Sequence, residues 1–135
     1  MLKEYVAEFA KYKKLGIQTL AQLSDAALNV SPAAEANSIG VIVRHLHGNL
    51  ISRFTDFMTT DGEKEWRDRA AEFAEMNYAR AEVEAYWTAA WTQLETVLAG
   101  LSDSKLATRL APSKMPLPMS PLSAVNQVPP SRPPR

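Results

Sequence analysis

Three segments of the chain repeat apolar residues at spacings of three and four, which predicts three long amphipathic helices. The first is predicted from about Leu2 to Leu23, and the third from about Ala79 to Ala99. The second begins at Asn37 or Ser38, because either side chain can accept a hydrogen bond from a free backbone N–H of the first turn. We expect this helix to continue to the polar Asp-Gly turn at 61–62.

Each predicted helix carries an apolar stripe that we expect to face a common core. In the first helix the stripe consists of Tyr5, Val6, Phe9, Tyr12, Leu15, Leu20 and Leu23. In the second it consists of Ile39, Ile42, Val43, Leu46, Leu50, Phe54 and Phe57. In the third it consists of Val83, Tyr86, Trp87, Ala90, Trp91, Leu94, Val97, Leu98 and Leu101. Together they predict an all-α, up-down helical bundle.

Shorter signals indicate how the helices meet and end. Gly16 lies inside the first helix, where glycine costs up to about 1 kcal/mol, so we expect a close approach of another helix there. Ser24-Asp25 can cap a short helical turn. Gly100 is a natural C-terminal stop for the third helix, and Ser102 begins another short turn.

The composition changes abruptly near the C-terminus. Between residues 112 and 135, eight of the 24 residues are proline and none is acidic. Proline lacks a backbone N–H and clashes with the preceding turn, so no long helix can form there. We therefore predict a helical domain over residues 1–111 and an extended or disordered proline-rich tail over residues 112–135.

The overall composition excludes several functional classes. The 135 residues include 15 basic and 15 acidic residues, which gives no general attraction to nucleic acid or to an anionic membrane. No apolar run approaches the ~18 residues of a membrane span, and the charged, periodic start does not resemble a signal peptide. Cysteine is absent, so disulfides and thiolate chemistry are excluded. Glycine-rich phosphate loops, metalloprotease motifs and calcium loops are absent too.

Both histidines lie on the second predicted helix but on different flanks. At about 100° per residue, His45 and His47 are separated by roughly 200°, so they cannot bind one metal from the same turn. His47 lies at one edge of the apolar stripe. His45 lies on the other flank, on a polar ridge that contains Ser38, Asn49, Ser52 and Asp56. A hydrogen-bonded histidine beside the core is the more common arrangement, and a metal ligand is the alternative.

The segment from Thr59 to Met76 is crowded with charged residues. One interpretation is a solvated linker with local ion pairs, each of which contributes little stability. The other is a structured loop over the mouth of the bundle, anchored by Trp66 and Phe73. In either case, structural ion pairing is a more common role for such charges than contact with a substrate.

Trp87 and Trp91 are four residues apart and share one face of the third helix. Large aromatic side chains mainly bury apolar area, so a core position is the favoured interpretation. The wall of a pocket is the alternative.

The run NSIGVIVRHLHGNLISRFTDFMTTDGEKEWRDRAAEF, residues 37–73, resembles the DinB-like superfamily of bacterial four-helix-bundle proteins. It is most similar to a branch with the pattern NSI…HL.GN..SR.TDF.TTDGEK.WR.R..EF, and the resemblance covers about residues 1–110. In that superfamily three histidines hold a divalent metal, one on the second helix and two on the last. The resemblance assigns the first of these to His45, with zinc, nickel or iron as the metal. It also implies a thiol-dependent transferase or hydrolase in the bacterial cytoplasm.

The chain departs from this family where the fourth helix should be. Residues 124–127 faintly resemble its start, but Pro129-Pro130 ends any continuation, and no residue matches the other two histidines. A truncated or frameshifted C-terminus is our hypothesis. It would be contradicted if neither alternative reading frame after codon 111 encoded a helix with the His-x-x-x-His motif.

Two functional classes therefore remain open. The first is a metal-dependent DinB-like enzyme with an incomplete site, in which His45 is the one visible ligand and the small-molecule substrate is unidentified. The second is a non-catalytic helical oligomer or an inactive truncated product. Three amphipathic helices would expose one side of a core built for four, and such a patch favours association. We therefore expect a homodimer or a larger assembly.

Overall fold

The computed structural model describes residues 1–111, and these form helices without any β-strand. The helices are α1 (Leu2–Gln22), a 3₁₀ turn (Ala26–Asn29), α2 (Ile39–Phe54), α3 (Arg69–Glu72), α4 (Arg80–Ala99) and α5 (Asp103–Leu110). The prediction of an all-α helical bundle with three long helices is confirmed. The predicted extended or disordered tail, residues 112–135, lies outside the described residues.

Polar side chains begin the helices where the sequence predicts them. Ser38 Oγ accepts a hydrogen bond from the backbone N–H of Val41 at 3.2 Å. Ser24 Oγ accepts from Ala27 N–H at 3.2 Å and so begins the 3₁₀ turn. Ser102 Oγ accepts from Lys105 N–H at 3.3 Å at the start of α5. Each oxygen satisfies a backbone donor that the first helical turn leaves without a partner.

The prediction that α2 continues to the turn at 61–62 is wrong, because the helix ends at Phe54. Thr55 is extended, and Asp56 has a φ of 50°, a left-handed conformation that aspartate tolerates better than most residues. Thr60 Oγ1 then donates to the Asp56 carbonyl at 3.0 Å. The chain therefore leaves the helix before Phe57, the last residue of the predicted apolar stripe.

Helix α4 is the centre of the bundle, because both α1 and α2 pack against it. Its predicted stripe is buried or half-buried, as the sequence indicates. Two clusters share it: one contains Leu20, Leu28, Val41, Val43, Tyr78 and Val83, and the other contains Trp91, Leu94 and Leu98. The core interpretation of the two tryptophans is supported, since Trp91 belongs to the second cluster and Trp87 packs against both.

The predicted close approach at Gly16 is confirmed. A Cβ atom at this position would lie 2.1 Å from Cζ2 of Trp87, a distance that no side chain could accept. The missing side chain therefore lets α1 lie against the indole ring. A separate contact between α1 and α4 is the ion pair between Lys13 Nζ and Glu95 Oε1 at 2.8 Å.

The predicted stripes of α1 and α2 are only partly buried. On α1, Leu20 is buried, but the side chains of Tyr5, Tyr12 and Leu15 are exposed. On α2, Ile42 is 49% exposed although the pattern assigned it to the core. The physical reason is that α1 packs on α4 and hardly on α2, so the apolar flanks between them have no partner.

The substitution Gly16→Ala tests the contact between α1 and α4. We expect it to destabilise the fold by about 1–3 kcal/mol, because the new methyl group overpacks the site and outweighs the helix propensity gained. Urea unfolding would measure the change. Combining it with Trp87→Leu should recover most of this specific cost, and simple additivity of the two substitutions would contradict the contact.

Candidate functional site

The segment between α2 and α4, residues 55–79, is tied to α2 by polar contacts. Ser52 Oγ donates to the Gly62 carbonyl at 2.6 Å. Lys64 Nζ donates to the Ser52 carbonyl at 2.8 Å and also to the Asp61 carbonyl. These bonds support the structured-loop interpretation over that of a solvated linker. Trp66 is exposed, so the prediction that it anchors the loop is wrong.

The loop places one carboxylate, that of Glu72, in the protein interior. Asp68 Oδ1 accepts from Ala71 N–H at 3.0 Å and begins the single turn of α3, at whose end Glu72 lies. The Glu72 side chain is only 2% exposed. It lies over Gly48 of α2, where a Cβ atom would be 1.8 Å from Oε1. Gly48 therefore provides the space that the carboxylate occupies.

Two basic side chains satisfy this buried carboxylate. Arg67, itself 3% exposed, donates from Nε to Glu72 Oε1 at 2.9 Å and from Nη2 to Oε2 at 3.1 Å. Nδ1 of His45 lies 3.0 Å from Oε2. A buried charge is tolerated when such a fork and a further donor complete its hydrogen bonds.

The electrostatics keep this ion pair charged. Burial would raise the pKa of Glu72, but the hydrogen bonds from Arg67 and His45 outweigh it, so the pKa lies below its ordinary value of 4.5. The hydrogen bond to Glu72 raises the pKa of Arg67. Since the carboxylate can only accept, His45 donates to it from Nδ1, and the neutral form of the ring then keeps a free lone pair on Nε2.

The ring of His45 is held in place and remains accessible. Phe73 stacks on it with a centroid distance of 4.5 Å and an interplanar angle of 34°. The His45 side chain is 37% exposed. Phe73 also lines an open recess of about 470 Å³ at the start of α2, together with Ser38 and Asn77. Phe73 therefore borders both the recess and the imidazole ring.

His47 has a different environment, as the spacing predicts. Its ring lies against Tyr86 of α4 at 4.9 Å, and the guanidinium of Arg44 lies over the same tyrosine at 5.1 Å. Burial, together with the charge of Arg44, lowers the pKa of His47 below its ordinary value of 6.5. His47 is thus a half-buried core histidine that favours its neutral form.

The two residues that orient His45 were missed by the sequence analysis, which placed Arg67 and Glu72 only among many loop charges. Glu72 is 27 residues from His45, and no periodicity connects them. The sequence signal that indicates this site is Gly48, a glycine inside α2 about one turn from His45, where Glu72 occupies the space of a missing side chain. Within residues 1–111, no group of three or more His, Cys, Asp or Glu side chains is arranged to hold a metal.

The fold and the site define an all-α helical-bundle protein in which a buried ion pair supports one accessible histidine. The family model described as "Protein of unknown function (DUF1572)" matches residues 1–114, so the chain belongs to that family. Comparison with curated proteins and with solved structures finds no match in either set. Over residues 1–111, no helix has the length and apolar character needed to cross a bilayer.

The substitution Arg67→Met tests whether the buried ion pair stabilises the loop. We expect a loss of about 3–5 kcal/mol in unfolding free energy, because it leaves the Glu72 carboxylate buried without its main partner. Arg69→Met is the matched control, since Arg69 pairs with Glu63 on the surface and should cost less than about 0.5 kcal/mol. Equal losses in chemical unfolding would contradict the account.

Proposed function

We propose that this protein is a DinB-like helical-bundle protein that binds a divalent metal ion through Nε2 of His45. The observation that carries the proposal is the contact between His45 Nδ1 and Glu72 Oε2 at 3.0 Å. Histidines that ligate metals commonly donate their other ring N–H to a carboxylate, which fixes the tautomer and increases the basicity of the ligand. His45 has this partner at Nδ1, and its side chain is 37% exposed.

Neutral imidazole suits zinc, nickel and iron, the metals that the family resemblance suggests. One histidine cannot hold any of them tightly, and residues 1–111 contain no complete ligand set. The remaining coordination positions would be filled by water, by substrate or by ligands from another chain. Such an open site is what a metal-dependent enzyme uses to bind and polarise its substrate.

The family resemblance further suggests a thiol-dependent transferase or hydrolase of the cytoplasm that acts on a small molecule. The recess that Phe73 lines provides room for a small molecule, and the Phe73 ring also stacks on His45. In this arrangement His45 would hold the metal, and Glu72 and Arg67 would orient His45 without touching the substrate.

The alternative is a non-catalytic helical oligomer or an inactive truncated product. Two observations favour it: the incomplete ligand set within residues 1–111, and the exposed apolar side chains on α1 and α2. In that case the ion pair of Glu72 and Arg67 would serve only to fix the loop on α2.

Metal analysis of the purified full chain distinguishes the two proposals. We expect zinc, nickel or iron to bind at His45, with affinity lost in His45→Ala and reduced about 10- to 100-fold in Glu72→Gln. His47→Ala is the matched control, because it removes a histidine two residues away that faces Tyr86. Calorimetric titration and elemental analysis would measure affinity and stoichiometry.

Two results would contradict metal binding at His45. One is a wild-type protein that takes up none of the three metals. The other is a bound metal whose affinity falls in His47→Ala and stays unchanged in His45→Ala. The first result, with folding preserved by circular dichroism, would favour the non-catalytic oligomer.

A further inference from the structure

A second cavity lies where α1, α2, α4 and α5 converge. Its volume is about 240 Å³, and its wall includes Phe9 of α1, Phe54 of α2, Leu98 of α4 and Leu106 of α5. His45 and Phe54 are nine residues apart on α2, which corresponds to about 14 Å along the helix axis. The cavity is therefore distinct from the candidate metal ligand.

The wall of this cavity is apolar. The lining side chains are all aromatic or leucine, and the phenol O–H of Tyr5 is the one polar group among them. Leu98 and Leu106 are buried, whereas Tyr5 and Leu110 are 45% and 58% exposed, so part of the wall reaches solvent. The volume is below the roughly 300–1,000 Å³ of pockets that hold drug-sized ligands. It suits the alkyl chain or single ring of a smaller molecule.

One cation lies against this apolar wall. Cζ of Arg109 is 5.2 Å from the centroid of the Phe57 ring, which lines the cavity. Nε of Arg109 donates to the Phe57 carbonyl at 2.7 Å, and Nη2 donates to the Thr60 carbonyl at 3.4 Å. These contacts hold the guanidinium over the ring.

The charge of Arg109 is not balanced by a neighbouring carboxylate. Its two acceptors are neutral carbonyl oxygens, and over residues 1–111 no aspartate or glutamate forms an ion pair with it. By contrast, Arg67 and Arg80 pair with Glu72 and Asp25. A guanidinium is a planar fork that matches the geometry of a carboxylate. Arg109 therefore provides the polar partner that the cavity wall lacks.

We propose that this cavity binds a small amphipathic carboxylic acid. Its alkyl chain or ring would lie among the leucine and aromatic side chains, where apolar surface leaves water. Its carboxylate would pair with Arg109, since one guanidinium balances one negative charge, whereas a phosphate monoester carries nearly two. This site requires neither a metal nor His45, so it is independent of the function proposed above.

Calorimetric titration of the full chain at neutral pH tests the site with three probes. Octanoate carries both chain and charge, 1-octanol carries the chain alone, and acetate carries the charge alone. We expect octanoate to bind at least about 100-fold more tightly than acetate, because acetate leaves the apolar wall uncovered. In Arg109→Met, octanoate affinity should fall about 10- to 100-fold, because a charged hydrogen bond is lost, whereas 1-octanol affinity should change less than about twofold.

Two further variants locate the site. Arg44→Met is the matched control, because Arg44 also lies over an aromatic ring, that of Tyr86 at 5.1 Å, but ten residues before Phe54 on α2. It should leave both affinities within about twofold. Leu110→Glu changes an exposed part of the wall, and its carboxylate should weaken octanoate binding about 10-fold. Circular dichroism would verify that all variants fold.

If Arg109 only tied α5 to the segment after α2, Arg109→Met would weaken octanoate and 1-octanol equally, and that result would overturn the proposal. Octanoate binding that is no tighter than acetate binding, or that is unchanged in Leu110→Glu, would overturn it too. A measurement on the wild-type protein avoids any folding defect. Raising sodium chloride from about 50 to about 500 mM should weaken octanoate and spare 1-octanol, and an octanoate affinity indifferent to salt would contradict pairing with Arg109.

Discussion

The buried carboxylate of Glu72 is the constraint on which the rest of the candidate site depends. A charge removed from water is costly unless partners satisfy it, and here Arg67 and His45 do so. The arrangement requires the space at Gly48 and an ordered loop over one face of α2. A polar segment that could have been a solvated linker is therefore fixed, and the histidine ring is fixed with it.

The fold was most predictable where a helix has neighbours on both sides. The stripe of α4 agrees with the structure because α1 and α2 cover it together. The apolar stripe of α1 did not predict burial correctly, since periodicity shows which face of a helix is apolar but not whether another element covers it. Leu20 is buried while Tyr12 is exposed, although both belong to the same stripe. The end of α2 was missed because the left-handed Asp56 interrupts an apolar pattern that continues to Phe57.

The candidate site was predictable only in part, for a related reason. The spacing of His45 and His47 predicts that they lie on different flanks of α2. In the structure His45 lies beside Glu72, and His47 lies against Tyr86. The partnership with Glu72 depends on how a loop folds back across α2, which no helical period encodes. The family match extends over the whole loop, and the ion pair with Arg67 gives a physical reason for its ordered path.

The most direct test of this account is to determine which ring nitrogen of His45 carries the proton. Nitrogen-15 NMR of the imidazole at neutral or mildly alkaline pH distinguishes a ring protonated at Nδ1 from one protonated at Nε2. The account predicts a proton on Nδ1 in the wild-type protein, because Glu72 accepts it, and loss of that preference in Glu72→Leu. A His45 ring protonated at Nε2 in the folded wild-type protein would contradict it.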